Sequence, residues 1–148
     1  MEIKTTKRFV EIEDKVYVAK DGKEFPTLKE CKDYEYALSR DEIISKAKEL
    51  EINLNIYPLD TDAQYINDSH CFAWYNVTNE EEFNVIAQAH NNDFWGGLNS
   101  YPEIICVEYE GDYEGDSWIH TLSDMKEATV SFWEHFGYSV KFDAIKEF

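Results

Sequence analysis

The sequence predicts an α+β domain, a mostly antiparallel sheet with helices packed on one of its faces. Three observations predict this fold. Short apolar segments are typical of strands, helix-capping patterns precede longer periodic segments, and the connections are short enough for antiparallel pairing. The 148 residues fit a single domain, residues 1–148, which can bury a core without disulfides or metals.

The first third of the chain predicts two short strands and then helix. Residues 8–19 are β-prone around an Asp14-Lys15 turn, and a second turn follows at Asp21-Gly22. Thr27-Leu-Lys-Glu30 is a capping box that opens a helix to about residue 38. A second such pattern begins at Ser39, so a second helix or a kinked continuation runs to about residue 51.

The middle of the chain predicts two strands and one helix. Residues 53–56 alternate as a half-buried strand, and residues 70–77 form a longer one. Thr78 to Glu81 caps a helix that runs to about residue 91. His90 lies on the apolar face of that helix, where we expect a core histidine. An aromatic, glycine-containing loop follows at residues 92–102.

The last third predicts a hairpin, a helix and a final strand. Residues 103–109 are the most strand-like in the chain, and residues 118–122 are their partner across the turn 111–116. Residues 124–136 form an amphipathic helix that Gly137 closes. The alternation of Tyr138, Val140 and Phe142 predicts a last strand.

Charge is the strongest functional signal in the sequence. The net charge is −17, and it is divided unevenly: residues 1–50 sum to −1 and residues 51–148 to −16. Residues 49–125 contain no Lys or Arg at all. Acidic side chains at this density repel one another, so their accumulation indicates either a solubility device or steering toward a basic partner protein. Direct nucleic-acid binding is disfavoured, because it needs Lys and Arg to neutralise phosphates.

The compartment follows from two absences. No segment resembles a secretory signal, and no window approaches 18 apolar residues, so we expect neither secretion nor a membrane span. The three cysteines are far apart and odd in number, which is typical of thiols in a reducing compartment. The expected localisation is cytoplasmic.

The segment 108–116 is the leading candidate for a partner-binding site. It places carboxylates at every second position, and in an extended strand these would share one face at roughly 6.6–6.8 Å spacing, close to the phosphate spacing along a DNA strand. Gly111 and Gly115 indicate a turn that would break this row, and the alternative interpretation of the segment is a solvated hairpin tip without a function. The aromatic residues of the preceding loop complete the candidate set: Glu108, Glu110, Asp112, Glu114, Asp116, Phe94 and Trp95.

The sequence contains no complete motif for catalysis or for metal binding. Neither an EF-hand register nor a C-x-x-C or H-x-x-x-H spacing is present, although His70, Cys106 and His120 could share a sheet face. No nucleophile elbow and no phosphate-binding glycine loop occurs. We therefore expect no catalytic residue, no metal site and no cofactor.

The stretch 17–35 resembles a pattern met in small proteins of bacteriophages. Its DG-x-x-F turn at Asp21 to Phe25 leads into a helix carrying E-C-x-x-Y-E at Glu30 to Glu35. The resemblance implies a phage accessory protein. Small acidic proteins of that kind block host defences by occupying a nucleic-acid groove, as anti-CRISPR and anti-restriction proteins do.

Together these observations favour a phage-encoded acidic inhibitor, a partial DNA mimic, that binds a basic, nucleic-acid-handling host defence protein such as a nuclease. Two other classes stay open. One is a small-molecule-binding or nucleotide-sequestering protein, which would need Lys or Arg from elsewhere to reach the site of an anionic ligand. The other is an immunity protein or antitoxin against a basic nuclease toxin.

Overall fold

The computed structural model describes residues 1–11, 13–59, 70–91 and 96–148. Within these ranges the chain forms two antiparallel sheets and three helices, so the predicted α+β fold is confirmed. Among the helices described, none combines the length and the apolar character needed to cross a membrane. The elements are strands β1 (Tyr17–Val18), β2 (Glu24–Phe25), β3 (Glu51–Ile52), β4 (His70–Val77), β5 (Glu103–Glu110) and β6 (Ser117–Thr121), and helices α1 (Leu28–Leu50), α2 (Glu80–Ala89) and α3 (Leu122–Glu134).

The chain divides into two units, Met1–Ser39 and Arg40–Phe148. In the first unit β1 pairs with β2 in a hairpin. Its turn uses Gly22 at φ +90°, a left-handed conformation that costs glycine little. Residues 8–16, predicted to be β-prone, contain no strand at the described positions. The predicted turn at Asp21-Gly22 is confirmed.

The residues that carry the phage resemblance hold this hairpin against the start of α1. The hydroxyl of Tyr34 donates to Asp21 at 2.8 Å, and this hydrogen bond lowers the pKa of the Asp21 carboxyl. The backbone N–H of Lys20 donates to Glu35 at 2.9 Å. The rings of Phe25 and Tyr34 lie 5.0 Å apart. Asp21, Phe25, Tyr34 and Glu35 of the pattern therefore have a structural role in this unit.

Helix α1 begins where the capping residues predict. The N–H of Glu30 donates to Thr27 Oγ1 at 3.2 Å, and the Thr27 hydroxyl donates to the Glu30 carboxylate at 2.9 Å. The second capping pattern, at Ser39, lies inside a helix that continues to Leu50. A capping side chain marks the start of a helix only where the residue itself has non-helical backbone geometry. At Ser39 the backbone stays helical, so no new helix begins there.

The second unit is built on a four-stranded sheet in the order β3-β4-β5-β6. Strands β4 and β5 pair along their whole length, with Trp74 opposite Cys106. Because side chains alternate across a strand, neighbouring residues of β4 point to opposite faces. Both faces are covered, which explains why β4 is an almost continuous apolar run.

One face, here called the α2 face, carries Ala73, Tyr75, Val77, Ile105 and Val107, which pack with Phe83 and Ile86 of α2. The carboxyl-terminal half of α1 joins this side through Ala47, which packs with Ala89. The other face, here called the α3 face, packs Trp74 and Cys106 against Met125 of α3. The predicted placement of helices on one face thus holds for α1 and α2, whereas α3 covers the opposite face.

Several element boundaries differ from the predictions. The strand predicted at residues 53–56 lies instead at Glu51–Ile52, which pairs with β4. The strand predicted from the alternation in residues 138–142 does not form, because this segment pairs with no described strand. Helix α2 is capped by Asn79, whose side chain accepts from the N–H of Glu82, one residue beyond the predicted pair. The strand prediction for residues 70–77 is confirmed.

Candidate functional site

The predicted acidic row at 108–116 is not a straight row of carboxylates. Strand β5 ends at Glu110, and Gly111 turns the chain at φ +76°. The N–H of Glu110 donates to the carbonyl of Asp116 at 3.0 Å, which closes the loop. Only the strand residues Glu108 and Glu110 keep the alternate spacing, so the phosphate-like geometry does not extend into the turn.

Glu108 and Glu110 belong to a cluster on the α3 face, here called the histidine–glutamate cluster: His70, Glu108, Glu110 and His120. The register places His70 opposite Glu110, and it places His120 opposite Cys106, two residue pairs from Glu108. Glu108 is buried, and its two oxygens lie 3.0 Å from His70 Nδ1 and 2.9 Å from His120 Nε2. A carboxylate buried between two imidazoles is stabilised by their hydrogen bonds and would be costly to leave unpaired.

His70 has both ring nitrogens committed to carboxylates. Its Nδ1 faces Glu108, and its Nε2 lies 2.8 Å from Glu110 Oε1. Both ring nitrogens therefore lie within hydrogen-bonding distance of a carboxylate, and the contact with Nε2 orients Glu110.

Trp118 extends the cluster toward solvent. It pairs with Glu108 across β5 and β6, so the two side chains share the α3 face. Its ring lies 6.4 Å from that of His70, with the planes 28° apart. Trp118 is 46% exposed and the side chain of Glu110 is 44% exposed. An accessible indole beside an oriented carboxylate can bind a cationic side chain by stacking and charge together.

The tip of the β5–β6 hairpin is anchored by Tyr113 on the α2 side. This residue is buried, and its hydroxyl donates to Glu51 at 2.7 Å and lies 3.0 Å from the Tyr75 hydroxyl. Tyr75 in turn lies 3.1 Å from His90 Nε2. Burial raises the pKa of Tyr75 and of Tyr113, and it raises the pKa of Tyr109 to about 12. These phenols are neutral hydrogen-bonding groups.

His90 is the core histidine that the sequence predicts. It is 1% exposed and packs between Tyr109 and Tyr113. Burial lowers its pKa to about 4, against a hydrogen bond with the backbone of Tyr113 that raises it, and the charge of Arg40 lowers it further. The imidazole is therefore neutral at physiological pH.

Arg40 is a cation that reaches the hairpin, and Lys48 is another, with its Nζ 5.5 Å from the ring centroid of Tyr113. Its guanidinium donates to the carbonyls of Gln88 and Ala89 at the end of α2 and forms an ion pair with Glu114. A cation at a helix carboxyl terminus is favourable, because the last carbonyls carry partial negative charge. Glu114 is thus held by an internal partner, while Asp112 and Asp116 are exposed.

The turn itself is tightly closed. Asp112 accepts from the N–H of Glu114 at 2.9 Å. A Cβ added at Gly115 would lie 1.9 Å from the carbonyl oxygen of Glu110. The turn therefore has no room for a side chain at position 115, and it carries the exposed side chains of Asp112 and Asp116.

His70, Cys106 and His120 are the residues for which the sequence predicts a shared sheet face, the arrangement that metal ligation would need. The register confirms that they share one face, since Cys106 lies opposite His120. In the ranges that the structure describes, no group of three or more His, Cys, Asp or Glu side chains is arranged to hold a metal ion. The imidazoles bind Glu108 instead. The three cysteines form no disulfide.

Two predicted site residues, Phe94 and Trp95, lie outside the described residues. The exposed aromatic surface that the structure does describe was missed by the sequence reasoning. It lies at the end of α3, where the rings of Phe132, Trp133, Phe136 and Tyr138 contact one another at 5.4 to 5.9 Å. The sequence does contain a signal for this surface, because α3 and the residues after it have more apolar side chains than one helix face can bury.

The α3 face also contains an apolar groove of about 580 Å³. Its floor is formed by Trp74 and Ile104 of the sheet and by Met125 of α3. The segment that follows α3 supplies the far wall through Phe142 and Phe148. Two lysines, Lys126 and Lys146, also line it.

Comparisons with known proteins add no relative: no family model, no curated protein and no solved structure matches the chain.

Proposed function

We propose that this chain is a non-catalytic binding protein whose β5–β6 hairpin docks on a basic surface of a partner protein. The observation that carries the proposal is that the exposed ring of Trp118 and the oriented carboxylate of Glu110 both lie against His70 on the α3 face. Arginine suits this site best, because its planar guanidinium stacks on an indole while donating to a carboxylate. Glu110 keeps acceptor sites for such a donor beyond its bond to His70.

The surrounding charge supports the same function. The sequence has no Lys or Arg from residue 49 to residue 125. Arg40 approaches the hairpin from α1, but Glu114 and two carbonyls engage it. Asp112 and Asp116 are exposed and form no ion pair with a described residue, so they add negative charge at the tip. A negative patch of this kind accelerates association with a basic surface.

The partner class that we propose is a basic, nucleic-acid-handling defence protein of a phage-infected cell, with the chain acting in the host cytoplasm as an inhibitor. The phage-type pattern at residues 17–35 and the net charge of −17 support this choice. A basic nuclease toxin would present similar chemistry. An immunity protein or antitoxin would therefore use the same hairpin.

The test starts with capture of partners from a host lysate, followed by binding of each purified partner to variants of this chain. Trp118→Ala and Glu110→Gln should each weaken binding by about thirtyfold or more, since truncating one side of a desolvated charged contact costs about 2–5 kcal/mol. Trp133→Ala and Glu80→Gln, at an exposed aromatic and an exposed carboxylate elsewhere, are the matched controls.

The control variants show whether the hairpin is the partner-binding site. Binding that weakens in the hairpin variants and not in the controls supports the proposal. Equal weakening in both pairs, or binding confined to a protein that is not basic, contradicts it.

A further inference from the structure

We propose that the apolar groove on the α3 face binds a long-chain carboxylate, with its tail against Trp74 and Met125 and its head group between Lys126 and Lys146. This inference is independent of the partner surface on the hairpin. It rests on the shape of the groove, on its lining and on the position of the lysines.

The size and lining of the groove suit an alkyl chain. Its volume of about 580 Å³ lies within the range of about 300–1,000 Å³ typical of small-molecule sites. The polar atom at its floor is already satisfied, because the Trp74 indole N–H donates to the carbonyl of Ile56 at 2.9 Å. An apolar chain therefore displaces water from this floor without breaking a hydrogen bond.

The charges at the groove favour an anion. Residues 51–148 contain three cations, Lys126, Lys141 and Lys146, and two of the three line this groove. The Nζ of Lys126 lies 5.8 Å from the ring centroid of Phe142, and that of Lys146 lies 4.5 Å from that of Phe148. Neither lysine forms an ion pair with any described residue.

Lysines without an ion pair are unexpected here, because acidic side chains far outnumber basic ones in this part of the chain. A ligand that combines an apolar tail with a single anionic head matches both features of the groove. A neutral or cationic amphiphile would match only the apolar lining.

The experiment is isothermal titration of the full chain with dodecanoate below its micellar concentration. We expect one dodecanoate per chain, with dodecanol and dodecyltrimethylammonium binding more weakly. Lys126→Gln combined with Lys146→Gln should weaken dodecanoate binding about threefold to tenfold, the range for surface and charge-assisted contacts. Lys141→Gln removes one positive charge outside the groove lining and should leave the affinity within about twofold.

A second variant tests the site without removing a lysine. Ile56 lines the groove and is 59% exposed, so Ile56→Glu should fold normally while placing a negative charge in the apolar lining, giving a loss at least as large as the lysine pair. Absent binding, equal affinities for the three amphiphiles, or equal effects of Lys141→Gln and the lysine pair would each overturn the proposal. Binding to phosphatidylglycerol vesicles without binding to monomeric dodecanoate would also overturn it.

Discussion

The imidazole of His90 lies flat against the phenol ring of Tyr113, with the ring centroids 4.3 Å apart and the planes 13° apart. His90 is the C-cap residue of α2, and Tyr113 is at the tip of the β5–β6 hairpin. The stacked pair therefore joins the hairpin to the helix layer. Its stability depends on a neutral imidazole, because the site is buried.

Acid should weaken the fold through His90. The buried state lowers its pKa from an ordinary value of 6.5 to about 4, so the unfolded chain binds the proton more tightly than the folded chain. Stability is fully present above about pH 6.5 and is lost as the pH falls toward 4. The loss from this residue is about 3 kcal/mol. Urea denaturation at pH 7 and pH 4 measures it.

His90→Gln provides the comparison for that measurement. The variant is less stable at pH 7, but it lacks the group that titrates, so its stability should fall less between the two pH values. Parallel losses in the wild type and in His90→Gln would show that carboxylates elsewhere dominate the acid response.

Arg40→Gln should destabilise the fold by about 1–3 kcal/mol. The change leaves Glu114 and two carbonyls of α2 without their charged donor, and hydrogen bonds to charged groups are the stronger class. Lys46→Gln removes a cation from an exposed i,i+4 pair with Glu42 and should cost no more than about 0.5 kcal/mol. Midpoints of urea denaturation compare the two. Equal costs would mean that Arg40 contributes only its charge.

Gly115→Ala should distort the hairpin tip and cost about 1–3 kcal/mol, since the new Cβ overlaps the carbonyl oxygen of Glu110 and the backbone has to move. Gly97→Ala is the control, because a Cβ there meets no atom within 4 Å. Thermal denaturation measures both. A melting temperature unchanged by Gly115→Ala would contradict the tight closure of the turn.

Glu108→Gln should cost about 1–3 kcal/mol, because an amide cannot accept from His70 and His120 with both of its terminal atoms. Asp116→Asn removes the same charge at an exposed position and should stay within about ±0.5 kcal/mol. Chemical denaturation at neutral pH separates the two. A Glu108→Gln variant as stable as the wild type would mean that the histidines find other acceptors.

Salt should slow association with a basic partner, because surface charges more than about 8–10 Å apart are screened near physiological ionic strength. Replacing Asp112 and Asp116 by Asn should lower the association rate and flatten its dependence on salt. Glu80→Gln with Glu81→Gln is the control for net charge. Stopped-flow mixing measures the rates. A rate independent of salt would leave the charge asymmetry as a solubility device.

Local sequence predicts the individual elements better than their arrangement. Residues 70–77 form a strand because β-branched and aromatic side chains fill a pleated surface, and the prediction needs no distant contact. The alternation at residues 138–142 is equally strand-like, yet no described strand pairs with it. Whether a segment forms a strand also depends on a neighbouring strand with which it can pair, so alternation alone does not predict the strand.

The same limit applies to the faces of the sheet and to the site. Amphipathicity shows that α3 buries one side, but it does not show which face of the sheet receives it. The carboxylates of Glu108 and Glu110 were predicted from their spacing. Their histidine partners require the β4–β5 register, and the lysines of the groove require the chain after α3 to return to the sheet.

Strand β5 has paired strands on both edges and packed side chains on both faces. Its amide protons can therefore meet solvent only when the sheet comes apart as a whole. Hydrogen–deuterium exchange in β5 should report the global free energy of unfolding, whereas the two-residue strands of the β1–β2 hairpin should exchange through local opening. The slowest-exchanging amides of the molecule then lie in the strand that supplies Glu108 and Glu110, so the carboxylates of the hairpin rest on the last part of the fold to open.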